Sequence, residues 1–381
     1  MSNQNLYIDI NILQTVPSSN INRDDSGSPK TAVYGGVTRA RVSSQSWKRA
    51  IRQAFRETSK DEWLNSHRTK KAVRILAKRL LENDNSLNIE DAQRKAIRVL
   101  ELGGVKFKKD KETQEYVKDK KTNEYLTGAL LYLSNGQLNK LAEFSKDHEE
   151  LDEADKDFLK KELKKILNGD QSLDLALFGR MVADNPELNV DASAQVAHAI
   201  STHGIVPEFD YYTALDDDQV ADNAGSAMIG TIEYNSATLY RYANVNMNEL
   251  VHNIGRDLAI KGLNLFIKDF VMSMPTGKQN TFANKTLPQY VMVAVRQDTP
   301  VNLVSAFEEP VRSRNGYINP SISKLEKEFT DSLRFVQEPL LTEVITTKKS
   351  AVGEQTDGLD ELLKKVTELL EKEISDDSSN D

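Results

Sequence analysis

Alternating and continuous apolar runs mark the strand-like segments of the chain. In residues 6–13 the apolar positions Ile8, Ile10 and Ile12 alternate with mostly polar ones, which is the pattern of a strand with one face on a hydrophobic core. A continuous apolar run within residues 289–296 predicts a buried strand instead. Together the patterns predict strands over residues 6–13, 39–43, 233–245 and 289–296.

A helix follows the second of these strands, with Ser43 or Ser44 as its amino-terminal cap. Helical spacing gives this segment two different faces. The apolar face holds Trp47, Ile51, Ala54 and Phe55, and the polar face holds Gln45, Lys48, Arg49, Arg52 and Arg56. The helix is therefore expected to pack by one side and to present a basic side.

Other segments complete an α+β pattern. Residues 61–169 are rich in Lys, Glu, Leu and Ala at helical spacing, which predicts a helical insertion. Further helices are predicted over residues 190–203, 248–272 and 359–374, a polar loop over 17–29, and a long acidic loop or hairpin over 207–230. The order of these elements indicates an α+β core of ferredoxin-like type with two excursions, and no internal repeat is evident at solenoid periods.

Composition narrows the class of protein. The 381 residues contain 39% hydrophobic and 28% charged residues, as expected of a globular chain. The chain has no cysteine, which excludes disulfides and thiolate chemistry and favours a reducing compartment. The amino terminus lacks the features of a signal peptide and no apolar stretch reaches membrane-spanning length, so we expect a cytoplasmic protein without a membrane partner.

Charge is segregated along the chain. The formal net charge of −8 argues against a nucleic-acid partner for the chain as a whole. Locally, however, the stretch from Lys30 to Arg56 holds seven basic residues and no acidic one. By contrast, the segments 205–240 and 353–381 hold seven and ten carboxylates and few basic residues. The sign of the charge at a site must therefore be judged locally.

The basic stretch has the residue types of a phosphate-binding surface. A helix start offers free backbone N–H groups, and serine hydroxyls, a glutamine and arginine forks add further donors there. The loop segment Asn22-Arg23-Asp24-Asp25 precedes this surface in the chain. The alternative interpretation is a solvated cationic helix face with ordinary caps, and composition alone does not separate the two.

Catalytic signatures are weak by comparison. Of the five histidines, His198 and His203 are near each other, but a spacing of five does not place them on one helix face as a zinc pair would require. We find no GxSxG, GxxxxGK[ST] or GxGxxG pattern in the sequence. The sequence therefore favours a binding protein without enzymatic activity, cofactor or metal.

The ordered motifs resemble a known family. NRDD, AVYGGVTRARVSSQSWKRAIR, LFGRM, SAQVAHAISTHGI, DYYTALDD and YRYAN follow one another along the chain. In this order they resemble the CasC backbone subunits of type I-E CRISPR Cascade, within the RAMP superfamily. The VSSQSWKRA and AHAISTH blocks are the most specific, whereas the resemblance fades between residues 61 and 170 and after about 330.

The resemblance implies a hand-shaped protein, several copies of which polymerise along one guide RNA. The palm would be RRM-like, the fingers helical, and the thumb a protruding loop. We further hypothesise that this loop couples neighbouring copies. Further implied partners are the other Cascade subunits and, through the guide heteroduplex, target DNA. The implied division is palm 1–60, fingers 61–180, palm 181–204, thumb 205–232, palm 233–374 and a disordered tail 375–381.

The resemblance also implies which residues contact the RNA. Contacts to phosphates and sugars fix the strand without reading its sequence, and the spacer is then read by base pairing. Met181 matches a residue that wedges beside a displaced base, with a core methionine as the alternative, and Tyr211 and Tyr212 match an aromatic pair of the thumb. The implied backbone contacts are made by Asn22, Arg23, Lys30, Arg41, Ser43, Gln45, Ser46, Lys48, Arg49 and Arg52.

Two other functions compete with this interpretation. Related backbone subunits of type III effectors cut target RNA with a loop aspartate, which Asp24 or Asp25 could provide by analogy. We expect these acids to orient Asn22 and Arg23 instead. A general RRM-like RNA-binding protein is the third possibility, but the aromatic sheet signature of that class is missing from the sequence.

Overall fold

The computed structural model describes residues 5–58, 61, 63–148, 156–181, 186–214 and 228–374. In chain order the strands are β1 (Tyr7–Ser19), β2 (Thr31–Tyr34), β3 (Val37–Val42), β4 (Ser66–Thr69), β5 (Leu131–Ser134), β6 (Ala194–Val196), β7 (Ala199–Ser201), β8 (Glu208–Ala214), β9 (Met228–Asn246), β10 (Tyr290–Arg296), β11 (Leu341–Thr346) and β12 (Glu354–Gln355). The α-helices are α1 (Ser44–Thr58), α2 (Ala72–Asn83), α3 (Ile89–Leu102), α4 (Asn135–Asp147), α5 (Lys156–Asn168), α6 (Leu173–Phe178), α7 (Met247–Ile254), α8 (Arg256–Met272), α9 (Gln279–Phe282), α10 (Ile318–Ser332) and α11 (Leu359–Glu373). The predicted α+β class is confirmed, while the RRM-like palm and the division into palm, fingers and thumb stay predictions.

The chain forms two units. The first, which we call the sheet unit, comprises Met1–Ala54, Ala194–Asn248 and Ile260–Asp381. The second, the helical unit, comprises Phe55–Ser193 and Glu249–Ala259. Two parts of the predicted division, the middle of the thumb at 215–227 and the tail 375–381, lie outside the described residues.

One sheet organises the sheet unit. Its strand order is β12-β11-β10-β1-β9-β7-β3-β2, and β6 and β8 also pair with β9. Strand β1 lies at the centre and pairs antiparallel with both β9 and β10. The long strand β9 thus connects the centre of the sheet to β7 and, through it, to β3, from which helix α1 leaves.

Strand β1 is buried on both faces, which differs from the predicted one-sided strand. Asp9 and Asn11 are each 1% exposed although they occupy the polar positions of the alternation. Asp9 accepts hydrogen bonds from Arg296 Nε at 2.9 Å and from the Tyr242 hydroxyl at 2.7 Å. Burial raises the pKa of Asp9 to about 6. These partners satisfy the polar groups and so allow the second face to be covered.

The hydrophobic pattern predicted the wrong secondary structure for two other segments. Residues 190–203 were predicted as a helix, but they contain the short strands β6 and β7, both paired with β9. Residues 248–272 form two helices, α7 and α8, rather than one. Gly255 lies between them with φ of +79°, a conformation that ends the first helix without strain because glycine has no side chain.

The helical unit has a separate core. Helices α2, α3 and α4 contribute Leu76, Leu100 and Leu141, each fully buried. Helix starts here use side-chain caps: Asn88 accepts from the Asp91 N–H at 2.9 Å, and Ser134 forms a capping box with Gln137. The predicted helical insertion is therefore observed within a unit that also contains the two-stranded sheet of β4 and β5.

A nine-residue repeat follows α3 in the helical unit. The segments KFKKDKETQ and EYVKDKKTN occupy residues 106–114 and 115–123, and the third segment, residues 124–132, keeps only the opening pattern as EYL. The three hydrogen bonds from Val117 N–H to Lys108 O, from Leu126 N–H to Val117 O and from Lys108 N–H to Leu126 O measure 2.8, 3.1 and 3.1 Å. The three repeats therefore form a closed ring with pseudo-threefold symmetry, at a period shorter than the solenoid periods.

Candidate nucleic-acid interface

Helix α1 has the two faces that its spacing predicts. Trp47 and Ile51 are fully buried, as is Phe55, whereas Gln45 and Arg49 are exposed. Arg241 lies behind the helix, with its guanidinium carbon 3.9 Å from the centre of the Trp47 ring. The apolar face is thus anchored in the sheet unit, and the polar face is directed outward.

Two cations on this helix lie close together. Lys48 and Arg52 are four residues apart and are both half-buried. Burial lowers the pKa of Lys48, and the neighbouring Arg52 charge lowers it further. The two cations therefore lie close enough on the helix for each to affect the charge of the other.

The loop before β2 is attached to the start of α1. Asn22 Oδ1 accepts a hydrogen bond from the Ser43 N–H at 2.8 Å, and its carbonyl accepts one from the Lys30 N–H at 2.8 Å. Ser43 itself is buried, and its carbonyl accepts from the Ser46 N–H at 3.0 Å. Asn22 and Ser43 therefore position the loop against the helix.

Asp24 closes a turn within this loop. Its Oδ1 accepts from the Ser26 N–H at 2.9 Å, the Ser26 hydroxyl at 2.7 Å and the Ser28 N–H at 3.0 Å. The Ser26 hydroxyl bond is the main reason that the pKa of Asp24 is lowered. Arg23 precedes this turn and is exposed. Asp24 therefore closes the turn that follows Arg23, and its predicted role in orienting Asn22 and Arg23 stays a prediction.

Arg41 connects β3 to β2 and to residue 198. Its Nε donates to the Thr31 carbonyl at 2.9 Å, and one terminal nitrogen lies 3.2 Å from His198 Nδ1. Partial burial lowers the pKa of His198, and the charges of Arg41 and Lys30 lower it further. His198 therefore accepts from Arg41 as a neutral ring and adds to a cluster of Lys30 and Arg41 that the sequence had not linked to it.

Arg39 belongs to the structure rather than to the basic surface. It is fully buried and donates to the carbonyls of Tyr34, Ser201 and Phe307 at 3.0, 3.0 and 2.8 Å. One of the seven basic residues of the stretch is thus unavailable to a ligand. Nothing in the sequence distinguishes it from Arg41, because its partners lie in distant segments.

The two tyrosines predicted for the thumb differ in their surroundings. Tyr211 is 63% exposed on β8 and shares its face with Phe209, which is 68% exposed. Tyr212 pairs with Gly230 of β9, where a side chain would meet the Tyr212 ring. The hairpin arms of the predicted loop are therefore observed, with Tyr211 presented to solvent and Tyr212 packed over a glycine.

Met181 lies in the helical unit. It is 83% exposed, so the alternative of a core methionine is wrong. The preceding Arg180 is buried and donates to the carbonyls of Leu188 and Leu167 at 2.6 and 2.9 Å. Burial lowers the pKa of Arg180 to about 10. Arg180 therefore holds this segment in place, and the contact of Met181 with a displaced base stays a prediction.

These observations define one surface in the sheet unit. Hydrogen bonds connect Asn22 with Ser43 and Lys30, and the Lys30 carbonyl accepts from the Arg41 N–H at 2.9 Å.

The described residues contain no group of three or more acidic or histidine side chains placed to hold a metal ion. Within the same described ranges, no helix is long and apolar enough to cross a membrane.

The fold and surface together define an α+β protein with a basic helix leaving one end of a large, mostly antiparallel sheet. The chain belongs to the Cas_CT1975 family of CT1975-like proteins, whose profile matches residues 8–372. This membership confirms the predicted relationship to Cas proteins.

Two solved structures are similar over almost the whole chain. A chain of a "CRISPR RNA-guided surveillance complex, pre-nicking" is 31% identical with a TM-score of 0.80, and the match covers 96% of this chain and all of that one. A chain of a "CRISPR RNA-guided surveillance complex" is 28% identical with a TM-score of 0.70, covering 95% and 99%. Comparison with curated proteins gives no significant match.

Proposed function

We propose that this protein is a guide-RNA-binding backbone subunit of a type I-E Cascade surveillance complex. The observation that carries the proposal is the match of 96% of the chain to a chain of an RNA-guided surveillance complex at a TM-score of 0.80. The cytoplasm is the proposed compartment, and the other Cascade subunits are proposed partners. The basic surface of the sheet unit supports the RNA-binding role.

The surface suits a strand of any sequence. Lys48, Arg49 and Arg52 on α1 would contact phosphates, and the attached loop would add Arg23 and Lys30. Such contacts determine the position of the backbone but not the identity of the bases. A guide held this way would leave its bases for pairing with target DNA, which then carries the sequence specificity.

Polymerisation along the guide is part of the same proposal. The arms of the β8–β9 hairpin present Tyr211 and Phe209 to solvent. Aromatic faces stack on bases without sequence preference and contribute about 1–3 kcal/mol each. We propose that the hairpin reaches the nucleic acid and a neighbouring copy, so that each subunit sets the position of the next.

Replacing Lys48, Arg49 and Arg52 with alanine tests the basic surface. The variant is expected to lose most of its affinity for a guide-length RNA. The slope of log binding constant against log salt concentration should also become shallower by about 2, because each single-strand phosphate contact contributes about 0.7 to it. Binding should be measured by fluorescence anisotropy at several salt concentrations.

The charge-matched control replaces the exposed residues Lys348, Lys349 and Lys372 with alanine. This control removes three positive charges from other elements and should keep nearly the wild-type slope. Equal affinities and slopes for the wild type and the α1 variant would contradict the assignment of the RNA surface.

We also propose that the subunit does not cleave RNA. The carboxylate of Asp24 accepts three hydrogen bonds within its own turn, and a phosphoryl-transfer metal site normally needs further ligands. Purified protein with guide RNA, complementary labelled RNA and Mg²⁺ or Mn²⁺ should give no product on a denaturing gel. Cleavage that disappears in Asp24→Ala or Asp25→Ala would place the protein among the nucleases.

A further inference from the structure

An open groove of about 580 Å³ lies in the sheet unit, apart from the residues assigned to the guide surface. Its described lining comprises two arginines, a serine, a tyrosine, a glycine, a proline and two valines, and no carboxylate: Val37, Gly204, Pro310, Val311, Arg312, Ser313, Arg314 and Tyr317. A groove with cations and no acidic residue in its lining favours an anionic ligand.

The loop that carries the arginines is attached at both ends. The Val311 N–H donates to the Thr202 carbonyl at 2.9 Å, and Val311 is buried. On the far side, the Ser321 hydroxyl lies 2.9 Å from the Thr202 hydroxyl, and the Ser321 N–H donates to the Tyr317 carbonyl at 3.1 Å. Because both ends join the same residue of the sheet unit, the intervening loop is positioned before any ligand arrives.

The two arginine side chains are available to a ligand. Arg312 and Arg314 are exposed, and neither forms an ion pair with a described residue. The acidic neighbour Glu309 forms its ion pair with Lys324 at 3.0 Å, and the more distant Arg312 charge also helps to lower the pKa of Glu309. Two guanidinium groups separated by one residue can each bind a phosphate through paired N–H donors.

An aromatic ring lies beside these cations. The Tyr317 ring stacks on the His203 ring with centroids 3.7 Å apart and an interplanar angle of 12°. His203 Nε2 accepts from the Thr238 N–H at 3.1 Å, so Nδ1 carries the proton and donates to the Gly204 carbonyl at 2.9 Å. Burial lowers the pKa of His203, which keeps the ring neutral. Tyr317 is thus held in a defined orientation at the groove.

We infer that this groove binds a segment of single-stranded nucleic acid, with Arg312 and Arg314 on its phosphates and Tyr317 against a base or ribose. Paired guanidinium forks beside an aromatic ring match alternating phosphates and bases better than they match the carboxylates of an acidic peptide. The inference rests on the proposed function, because the strand would be the guide RNA or its DNA target.

The groove is placed to extend the guide surface rather than to duplicate it. Val37, at the start of β3, lines the groove, and Arg41, near the end of the same strand, belongs to the basic cluster. Four residues of a strand span about 13 Å. The two sites are therefore close enough for one nucleic-acid strand of a few nucleotides to span the distance between them.

The double variant Arg312→Ala/Arg314→Ala tests the inference in the full-length protein. Its salt slope for guide-length RNA, or for complementary DNA added to the RNA-bound protein, should become shallower by about 1.4. The control Lys348→Ala/Lys349→Ala removes the same charge and should leave both slopes unchanged. Unaltered slopes in the groove variant would overturn the inference, as would a change in self-association alone, which would indicate a protein ligand.

The outcomes separate this inference from the proposed function. If the α1 variant no longer binds RNA and the groove variant keeps the wild-type salt slopes for RNA and for DNA, only the groove inference is wrong. If the α1 variant binds normally while the groove variant loses slope, the α1 surface is wrong and the groove stands. A wild-type protein that binds neither strand would overturn both.

A thiol probe gives a second, local measurement. Because the chain has no cysteine, Ser313→Cys introduces a single reactive thiol in the groove. Its alkylation by iodoacetamide should slow about tenfold when RNA is present at ten times its Kd, and Lys349→Cys should not be protected. Protection by RNA alone would identify the guide as the ligand, and protection only after complementary DNA is added would identify the target strand. Absence of protection in both arms would overturn the inference.

Discussion

Replacing Asp9 with leucine is expected to lower the free energy of unfolding of the sheet unit by about 3–5 kcal/mol. Asp9 and Arg296 are both 1% exposed and 2.9 Å apart, so the substitution leaves a buried cation without its carboxylate. The Val301 N–H, which donates to the same carboxylate at 3.0 Å, also loses its acceptor. Urea unfolding at pH 8, where the Asp9 carboxyl is ionised, measures the change.

The second half of this experiment replaces both members of the pair. Asp9→Leu/Arg296→Met removes the uncompensated charge and should be more stable than the single Asp9→Leu variant by about 2 kcal/mol or more. This recovery separates the cost of an unpaired buried charge from a general loss of packing. If Arg296→Met gives no gain in the Asp9→Leu background, the ion pair is not the cause of the instability.

Replacing Trp47 with alanine is expected to cost about 3–5 kcal/mol and to weaken RNA binding through loss of folded protein. Trp47 is fully buried on the inner face of helix α1, and its ring contacts the buried Arg241 guanidinium. The substitution leaves a cavity and removes the cation–π contact together. Urea unfolding followed by circular dichroism measures the stability, and anisotropy at low temperature measures RNA binding by the folded fraction.

Trp47→Phe is the matched control for this substitution. It keeps an aromatic ring beside Arg241 and removes an indole N–H that has no acceptor among the described residues. We therefore expect it to cost less than half as much as alanine. Equal losses from phenylalanine and alanine would show that the aromatic contact with Arg241 does not stabilise the helix.

The elements that the sequence predicted well are those whose burial pattern is local. Helix α1 repeats its apolar positions at helical spacing, and the apolar run of β10 is buried at every position. Residues 190–203 failed because small residues such as Ala194 and Ala199 satisfy helical and strand periods equally. The pairing of this region with β9, which lies 38 to 51 residues further along the chain, determines its strand conformation.

The residues of the candidate site likewise fall into two groups: those that local spacing predicts and those that depend on distant segments. The basic face of α1 followed from spacing, because one helix orders its own side chains. The contact between Arg41 and His198, and the burial of Arg39 among distant carbonyls, depend on segments that are brought together only by the sheet. The nine-residue repeat was not predicted, because its copies are shorter than a solenoid unit.

The ring formed by that repeat determines how many copies the segment can contain. Two copies would form an open hairpin, and the outer N–H and C=O groups of such a hairpin would have no partner. The third copy supplies these partners, since the Lys108 N–H donates to the Leu126 carbonyl and closes the ring. A fourth copy could enter only by breaking one of the three bonds. Among relatives that share this ring, changes of length should therefore occur in the turns around Lys111 and Lys120 and not by gain or loss of a whole copy.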